Sequence, residues 1–155
     1  MELSSPDFSD GGLIPVAYTG DGVDGSPTLH IRDVPAEAAS LVLVVDDPDA
    51  PREEPWVHWL LWNLPPTTQA LPANFPPHSS GTPIEGACQG TNDFGNIQYN
   101  GPAPPTGHGV HRYRFTLYAL DDTLAVRSGA SRADLDKAME GHILVKTRLV
   151  GTYER

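Results

Sequence analysis

LVLVVDDPDAPREEPWVHWLLWNL, from Leu41 to Leu64, contains the two clearest strand signals in the chain. Its first five residues, Leu41–Val45, are apolar and mostly β-branched, which is typical of a strand buried on both faces. The segment VHWLLWNL has the same character, and the Pro65-Pro66 pair ends it. We therefore expect two neighbouring core strands, Leu41–Val45 and Val57–Asn63, joined by an acidic, proline-rich loop.

Two further core strands are predicted towards the end of the chain. RYRFTLYAL, Arg112–Leu120, alternates in hydrophobicity, so one face carries Tyr113, Phe115, Leu117 and Ala119. HILVKTRLV predicts a final strand at Ile143–Val150. Shorter extended segments are expected at Leu13–Thr19 and Thr28–Val34. Residues 65–110 contain a proline or glycine every few positions, which predicts mostly irregular structure.

One segment, SRADLDKAMEG, carries a helix signature and predicts a helix near Ser131–Glu140. Ser131 can cap its start, Asp134 holds the capping-box position, and Gly141 can end it. Leu135, Ala138 and Met139 form one apolar stripe, as expected of a helix that packs on a core. The fold class predicted from these elements is mainly β, with one or two short helices.

Composition limits the function classes. The 155 residues carry a net charge of −10, whereas nucleic acids and anionic membranes bind basic surfaces. The length fits a single domain, 1–155, and the lone Cys88 cannot form an internal disulfide. No apolar segment is long enough to span a membrane, and the start does not resemble a secretion signal. These features predict a cytoplasmic protein with no nucleic-acid partner and no stable membrane insertion.

Three segments concentrate chemically active side chains at expected strand ends. They are DDPDAP (Asp46–Pro51), WVHW (Trp56–Trp59) and YNGPAPPTGHGVHRY (Tyr99–Tyr113). Side chains at the ends of strands can project from a rigid sheet into a pocket walled by loops. Together with TNDFG and HRYRFTLYALD, these motifs resemble the phosphatidylethanolamine-binding protein family, also called Raf kinase inhibitor-like, and in particular its bacterial and archaeal branch.

The resemblance implies a β-sandwich of two antiparallel sheets with a small anion pocket at one end. In the family this pocket binds phosphate, sulfate, acetate-like anions or a phospholipid head group. The matching positions assign ligand binding to Asp47, His58, Gly101, His111 and Tyr113, with Trp56, Tyr99 and Pro51 nearby. The GPAPP turn, Gly101–Pro105, would form one wall, and the Ala50–Pro51 peptide is a candidate for the cis form.

The chemistry of these residues agrees with an oxyanion ligand. Imidazolium groups, the Tyr113 hydroxyl and the Gly101 backbone N–H are all hydrogen-bond donors. Asp47 would orient a histidine and favour its imidazolium form. Strand alternation places Trp56 on the face of His58 and Trp59 on the opposite face. The other acids of the loop are expected to be solvated: Asp46, Asp49, Glu53 and Glu54.

Three functions remain open at this stage. The first is a non-enzymatic module that binds a small anion without a cofactor, since no nucleophile paired with a base is visible. The second is a metal-assisted hydrolase using Asp47, His58 and either His108 or His111, although the HGVH spacing does not require those last two to converge. The third is inhibition of a protease or kinase through protein contact, and the resemblance also suggests a homodimer.

Overall fold

The computed structural model describes all 155 residues and contains nine strands, one α-helix and two 3₁₀ helices. In chain order the regular elements are β1 (Glu2–Ser4), β2 (Gly12–Leu13), β3 (Leu29–Arg32), β4 (Ser40–Asp47), β5 (Trp56–Leu64), β6 (Ala70–Leu71), β7 (Cys88–Gln89), β8 (His111–Leu120), α1 (Arg132–Met139) and β9 (Ile143–Tyr153). The 3₁₀ helices cover Val16–Tyr18 and His78–Ser80.

The strands form two sheets. A small sheet has the order β1-β3-β6, and a large sheet has the order β2-β9-β8-β4-β5-β7. All neighbours are antiparallel except β2 and β9, which pair in parallel over two residues at one edge. The mainly β fold with two sheets is therefore confirmed, with this edge pair as the one departure from antiparallel pairing.

Strand β4 lies at the centre of the large sheet and is buried on both faces, as its continuous apolar run predicts. Leu41, Leu43 and Val45 belong to a core that includes residues of the small sheet. Val42 and Val44 point the other way, into a second core beneath α1. The large sheet is thus the middle of three layers.

Helix α1 confirms the sequence prediction. The Ser131 side chain accepts from the Asp134 backbone N–H, and the Asp134 carboxylate accepts from the Ser131 N–H, so the capping box is complete. Leu135 and Met139 are buried against the sheet. Gly141 follows the helix with φ +80°, a conformation that glycine adopts without strain.

The other predictions for regular structure hold in part. Strand β8 has the expected buried face, and residues 65–110 contain only two two-residue strands and one 3₁₀ turn. Strand β9 extends to Tyr153, but its first two residues are not core, since Ile143 is 46% and Leu144 42% exposed, and the half-buried Val145 is the first to pack on the core. Only its last residues reach the packed side chains of Phe8 and Ile14. Leu13–Thr19 is not one extended segment, because only Leu13 belongs to a strand and Val16–Tyr18 form a 3₁₀ turn.

A β-bulge at His58 changes the faces of the tryptophans. Trp59 pairs with Val45 and Val57 pairs with Asp46, so His58 is one extra residue in β5. Trp56 pairs with Asp47, which lies on the same face of β4 as Val45. Trp56 and Trp59 therefore share a face, and the prediction of opposite faces is wrong because strict alternation fails at the bulge.

Candidate functional site

A cavity of about 230 Å³ lies at one end of the large sheet, where β4 ends and β5 and β8 begin. Strand side chains form its floor, and the loop after β4 and the Gly101–Pro105 turn form its walls. The residues that line it are Asp47, Ala50, Pro51, Trp56, His58, Phe94, Ala103, Pro104, Pro105, His111 and Tyr113. Six of the eight residues assigned to the site from sequence are therefore brought together.

The Asp47 carboxylate and the His111 imidazole form a buried pair on this floor. Oδ2 of Asp47 lies 2.6 Å from Nδ1 of His111, and both side chains are at most 5% exposed. Oδ1 of Asp47 accepts from the Asp49 backbone N–H at 2.7 Å. Because a carboxylate only accepts, Nδ1 of His111 carries the proton, and Asp47 fixes the orientation of the ring.

His108 converges on the same pair, although the HGVH spacing does not require it to do so. Its Nδ1 lies 2.6 Å from Nε2 of His111. The turn that brings it there contains Gly107 and Gly109, with φ of +79° and +92°. Both ring nitrogens of His111 are therefore hydrogen-bonded, one to Asp47 and one to His108.

His58 presents one nitrogen towards the cavity because the other is occupied. Its Nδ1–H donates to the Asn100 carbonyl at 2.6 Å, which leaves Nε2 unbonded within the protein. The ring is 3% exposed and packs edge-on against Tyr113 and Phe94. Burial lowers the pKa of His58, and the Asn100 carbonyl and nearby carboxylates oppose that shift only partly.

Two buried donors of the lining have no acceptor among the protein atoms. They are the indole Nε1–H of Trp56 and the hydroxyl of Tyr113. Burial, and then the negative charge of Asp47, raise the pKa of Tyr113, so the phenol remains a donor at neutral pH. Buried donors without partners are uncommon and costly, and an acceptor at this end of the cavity would satisfy both.

Gly101 and Tyr99, two of the eight residues assigned from sequence, do not line the cavity. The Gly101 N–H donates to Oδ1 of Asp24 at 2.7 Å, and the Tyr18 carbonyl leaves no room for a Cβ there. The Tyr99 hydroxyl donates to that same carbonyl at 2.7 Å, while its ring packs on Trp59. Both residues hold the wall in place from behind.

The Ala50–Pro51 peptide is trans, as is every peptide bond in the chain, so the cis prediction is wrong. Trans is the preferred form of an X–Pro bond, and the loop closes without the cis form. The Asp49 N–H bonds to Asp47, and the Arg52 N–H donates to the Ala50 carbonyl at 2.7 Å. Ala50 and Pro51 line the cavity in this conformation.

Two acids expected to be solvated are instead paired. Asp46 is 3% exposed and accepts from Arg114 at 2.7 Å and from Arg132 at 3.1 Å, which ties β4 to β8 and α1. Asp49 binds the Arg112 guanidinium, which lowers the pKa of Asp49 to about 2. The remaining two, Glu53 and Glu54, are exposed as predicted.

Sequence reasoning missed two contributors to the site. Phe94, from the TNDFG motif, lies edge-on to Trp56 at 5.5 Å and to His58 at 5.2 Å between ring centroids, although it is 41% exposed. The signal in the sequence is a phenylalanine within the polar, turn-forming segment TNDFG. The sequence indicates His108 only as a candidate metal ligand, and nothing in the spacing predicts its contact with His111.

The side chains named for a metal site are not arranged as a ligand set. No group of three or more His, Cys, Asp or Glu side chains is placed to hold a metal ion. Asp47 and His111 bond to each other, and Nδ1 of His58 bonds to Asn100. In addition, no helix of the chain has the length and apolar character needed to span a bilayer.

Known proteins are similar to this chain in sequence and in fold. The UPF0098 protein PH1269 of Pyrococcus horikoshii is 49% identical over 148 residues, which are 96% of this chain and 74% of that protein. The crystal structure of a phosphatidylethanolamine-binding protein homologue, CT736 of Chlamydia trachomatis, has a TM-score of 0.87 at 43% identity and covers 99% of this chain and 96% of that one. Escherichia coli YbcL, described as a member of the mammalian PEBP family, gives 0.92 at 29% identity, with 99% and 98% covered.

The fold and these similarities define a class of small β-sandwich binding proteins. The family described as phosphatidylethanolamine-binding protein matches residues 4–154. The chain belongs to this family, which confirms the resemblance seen in its motifs.

Proposed function

We propose that this chain is a non-enzymatic binding protein whose cavity holds one small oxyanion, such as phosphate, sulfate, a carboxylate or a phosphoryl head group. The unpartnered donors of Trp56 and Tyr113 carry the proposal, because an oxyanion supplies the acceptors that they lack. The cavity of about 230 Å³ is smaller than the pockets that enclose drug-sized ligands, and it suits a compact ligand.

A bound anion needs a compensating positive charge in the cavity, and a protonated His58 would supply it. Its Nδ1–H already donates to Asn100, so protonation adds a donor at Nε2. Burial alone favours the neutral ring, whereas a bound anion favours the imidazolium. Binding is therefore coupled to proton uptake, and it strengthens as the pH falls.

A binding role is favoured over catalysis by the composition of the lining. It contains no serine, threonine, cysteine or lysine that could act as a nucleophile beside the histidines. Cys88 belongs to edge strand β7 and does not line the cavity. The Asp47–His111 pair fixes the position of an imidazole. Binding sites use such positioning as well as active sites, so the pair does not by itself indicate catalysis.

Calorimetric titration of phosphate and phosphoethanolamine into the wild type and three variants tests the proposal. Tyr113→Phe and Trp56→Phe each remove one donor while keeping an aromatic ring, and Tyr118→Phe is the matched control on the opposite face of β8. A hydrogen bond to a charged group contributes about 1.5–3 kcal/mol, so each donor variant should bind roughly ten- to a hundredfold more weakly.

The Tyr113→Phe protein should unfold at the same temperature as the wild type or slightly higher, because the hydroxyl has no partner to lose in the free protein. Wild-type binding that survives unchanged in both donor variants would contradict the proposed site. Loss of binding together with a large loss of stability would assign Tyr113 a structural role instead.

A further inference from the structure

His58 offers the cavity a lone pair, and not a hydrogen, while its ring is neutral. Its Nδ1–H donates to the Asn100 carbonyl at 2.6 Å, so the neutral ring carries its proton on Nδ1 and Nε2 is an acceptor. The Tyr113 hydroxyl and the Trp56 indole N–H have no partner, so neither bonds to this nitrogen. These three side chains therefore present two free donors and one free acceptor to a ligand.

The neutral ring is the form that prevails near neutral pH. Burial lowers the pKa of His58 below the ordinary value of 6.5, although the Asn100 carbonyl and the carboxylates of Asp47, Asp24 and Asp46 oppose the shift. Each of these carboxylates already accepts from other groups. The other ionisable or charged groups around the ring are His111, Tyr113 and the Arg52–Asp93 pair.

An oxyanion that enters the cavity can meet Nε2 of His58 in two ways. A fully ionised anion such as sulfate has only lone pairs, so the ring must first take up a proton from solvent and become a donor. Hydrogen phosphate carries a P–OH group, which can donate to the neutral Nε2 while the other oxygens accept from Trp56 and Tyr113. In both cases one proton lies between the ring and an oxygen of the anion and offsets part of the charge. Only hydrogen phosphate brings this proton with it.

We propose that the cavity selects a phosphoryl group that carries its own P–OH, with Nε2 of His58 as the acceptor. Free phosphate keeps such a group at neutral and mildly alkaline pH. A phosphomonoester loses it with a second pKa of about 6, and a phosphodiester, the form found in phospholipid head groups, has none. Free phosphate is therefore the best match near neutral pH. This inference rests on the proposed function, since it concerns the ligand of the same cavity.

Calorimetric titration of phosphate and of monofluorophosphate into the wild type at about pH 8 tests the proposal. Both ions are dianions of similar size at this pH, but fluorine replaces the P–OH group, so fluorophosphate cannot donate. Phosphate should bind roughly tenfold more tightly, the effect of one hydrogen bond to a charged group. At about pH 5.5 more of the protein has a protonated His58, which offers a donor instead, so the preference should shrink or reverse.

Two phosphate esters distinguish the possible sources of the phosphoryl group. Phosphoethanolamine is a monoester, and its affinity relative to that of phosphate should increase as the pH falls below about 6 and its P–OH group forms. Glycerophosphoethanolamine is a diester without this group, and it should bind more weakly than phosphoethanolamine at about pH 5.5.

Two variants test whether His58 causes the preference. His58→Asn replaces the ring by an amide that can turn either its oxygen or its NH₂ group towards the ligand, so it should bind phosphate and fluorophosphate alike. Tyr113→Phe is the matched control, because it removes a donor that both ions would use. It should weaken both by the same factor and leave the ratio of the two affinities unchanged.

Equal affinity of the wild type for phosphate and fluorophosphate at about pH 8 would overturn the inference, and this comparison needs no variant to fold. A preference that persists in His58→Asn, or a diester that binds as tightly as the monoester at about pH 5.5, would also overturn it. In each case anions still bind, so the proposed function stands. Absence of binding of every anion at both pH values would instead remove the proposed function, and this inference with it.

Discussion

The Asp47 carboxylate lies 2.6 Å from Nδ1 of His111, and this buried pair joins the end of β4 to the start of β8 at the cavity floor. The negative charge of Asp47 would repel an anion in the cavity, yet it would also stabilise an imidazolium beside it. Which effect dominates determines how the site discriminates among ligands, and substitution of Asp47 separates the two.

Asp47→Asn keeps the shape of the side chain and removes its charge. If Asp47 mainly orients His111 and favours its charged form, as we expect, phosphate binding should weaken and its optimum should move to lower pH. Calorimetry at about pH 5.5 and pH 8 measures both effects. Tighter binding would show that repulsion dominates, and joint loss of binding and of a bound metal would revive the hydrolase hypothesis.

The free protein should lose stability on acidification through His58. Its pKa is lowered by burial below the ordinary value of 6.5, so between these two values the unfolded chain binds more protons than the folded chain. The free energy of unfolding therefore decreases as the pH falls through this window. Thermal unfolding in buffers without small oxyanions should show it, and His58→Asn should remove most of the dependence.

The matched control for His58 is His78→Asn, at an exposed position in a 3₁₀ turn. Addition of sulfate should restore part of the stability lost at acid pH, because the anion stabilises the His58 imidazolium. A pH dependence that is identical in the His58 and His78 variants would show that other groups cause the acid sensitivity.

Asp46 should matter far more for stability than its neighbour Asp49. Asp46→Asn leaves Arg114 and Arg132 without their shared buried carboxylate, and we expect a loss of about 3 kcal/mol in the free energy of unfolding. Asp49→Asn breaks a more exposed pair with Arg112 and should cost at most about 1 kcal/mol. Denaturant unfolding of both variants checks the ranking, and equal losses would contradict it.

Ligand binding should change the environment of Trp56 far more than that of the other two tryptophans. Trp56 lines the cavity and has an unbonded Nε1, whereas Nε1 of Trp59 donates to Gln89 and Nε1 of Trp62 to the Val126 carbonyl. In protein labelled with fluorotryptophan, ¹⁹F NMR resolves the three residues at once. Phosphate should shift the Trp56 resonance most, and comparable shifts at all three would count against the site.

Much of the fold can be predicted because its signals are local. The continuous apolar run Leu41–Val45 predicts a doubly buried strand, and the cap at Ser131 predicts α1, since both patterns depend on residues close in sequence. The bulge at His58 could not be predicted in this way. It depends on how β5 pairs with β4, and one inserted residue leaves no mark in the hydrophobic pattern.

The candidate site could likewise be predicted only in part, because some of its contacts join residues that no sequence pattern connects. Asp47, His58 and Tyr113 meet because three adjacent strands place them at one sheet end, which the motifs indicate. The role of Gly101 could not be predicted, because its N–H is taken by Asp24, a residue 77 positions away. The burial of Asp46 likewise depends on arginines from β8 and α1, which no local pattern connects to it.

Proton uptake on sulfate binding tests the central claim, that the cavity holds an oxyanion through a histidine that becomes charged. Calorimetry at about pH 7 in two buffers of different ionisation enthalpy counts the protons, and sulfate itself contributes none. The account predicts binding to the wild type with uptake of up to about one proton per anion, reduced in His58→Asn. Absence of sulfate binding, or binding with no proton uptake, would contradict it.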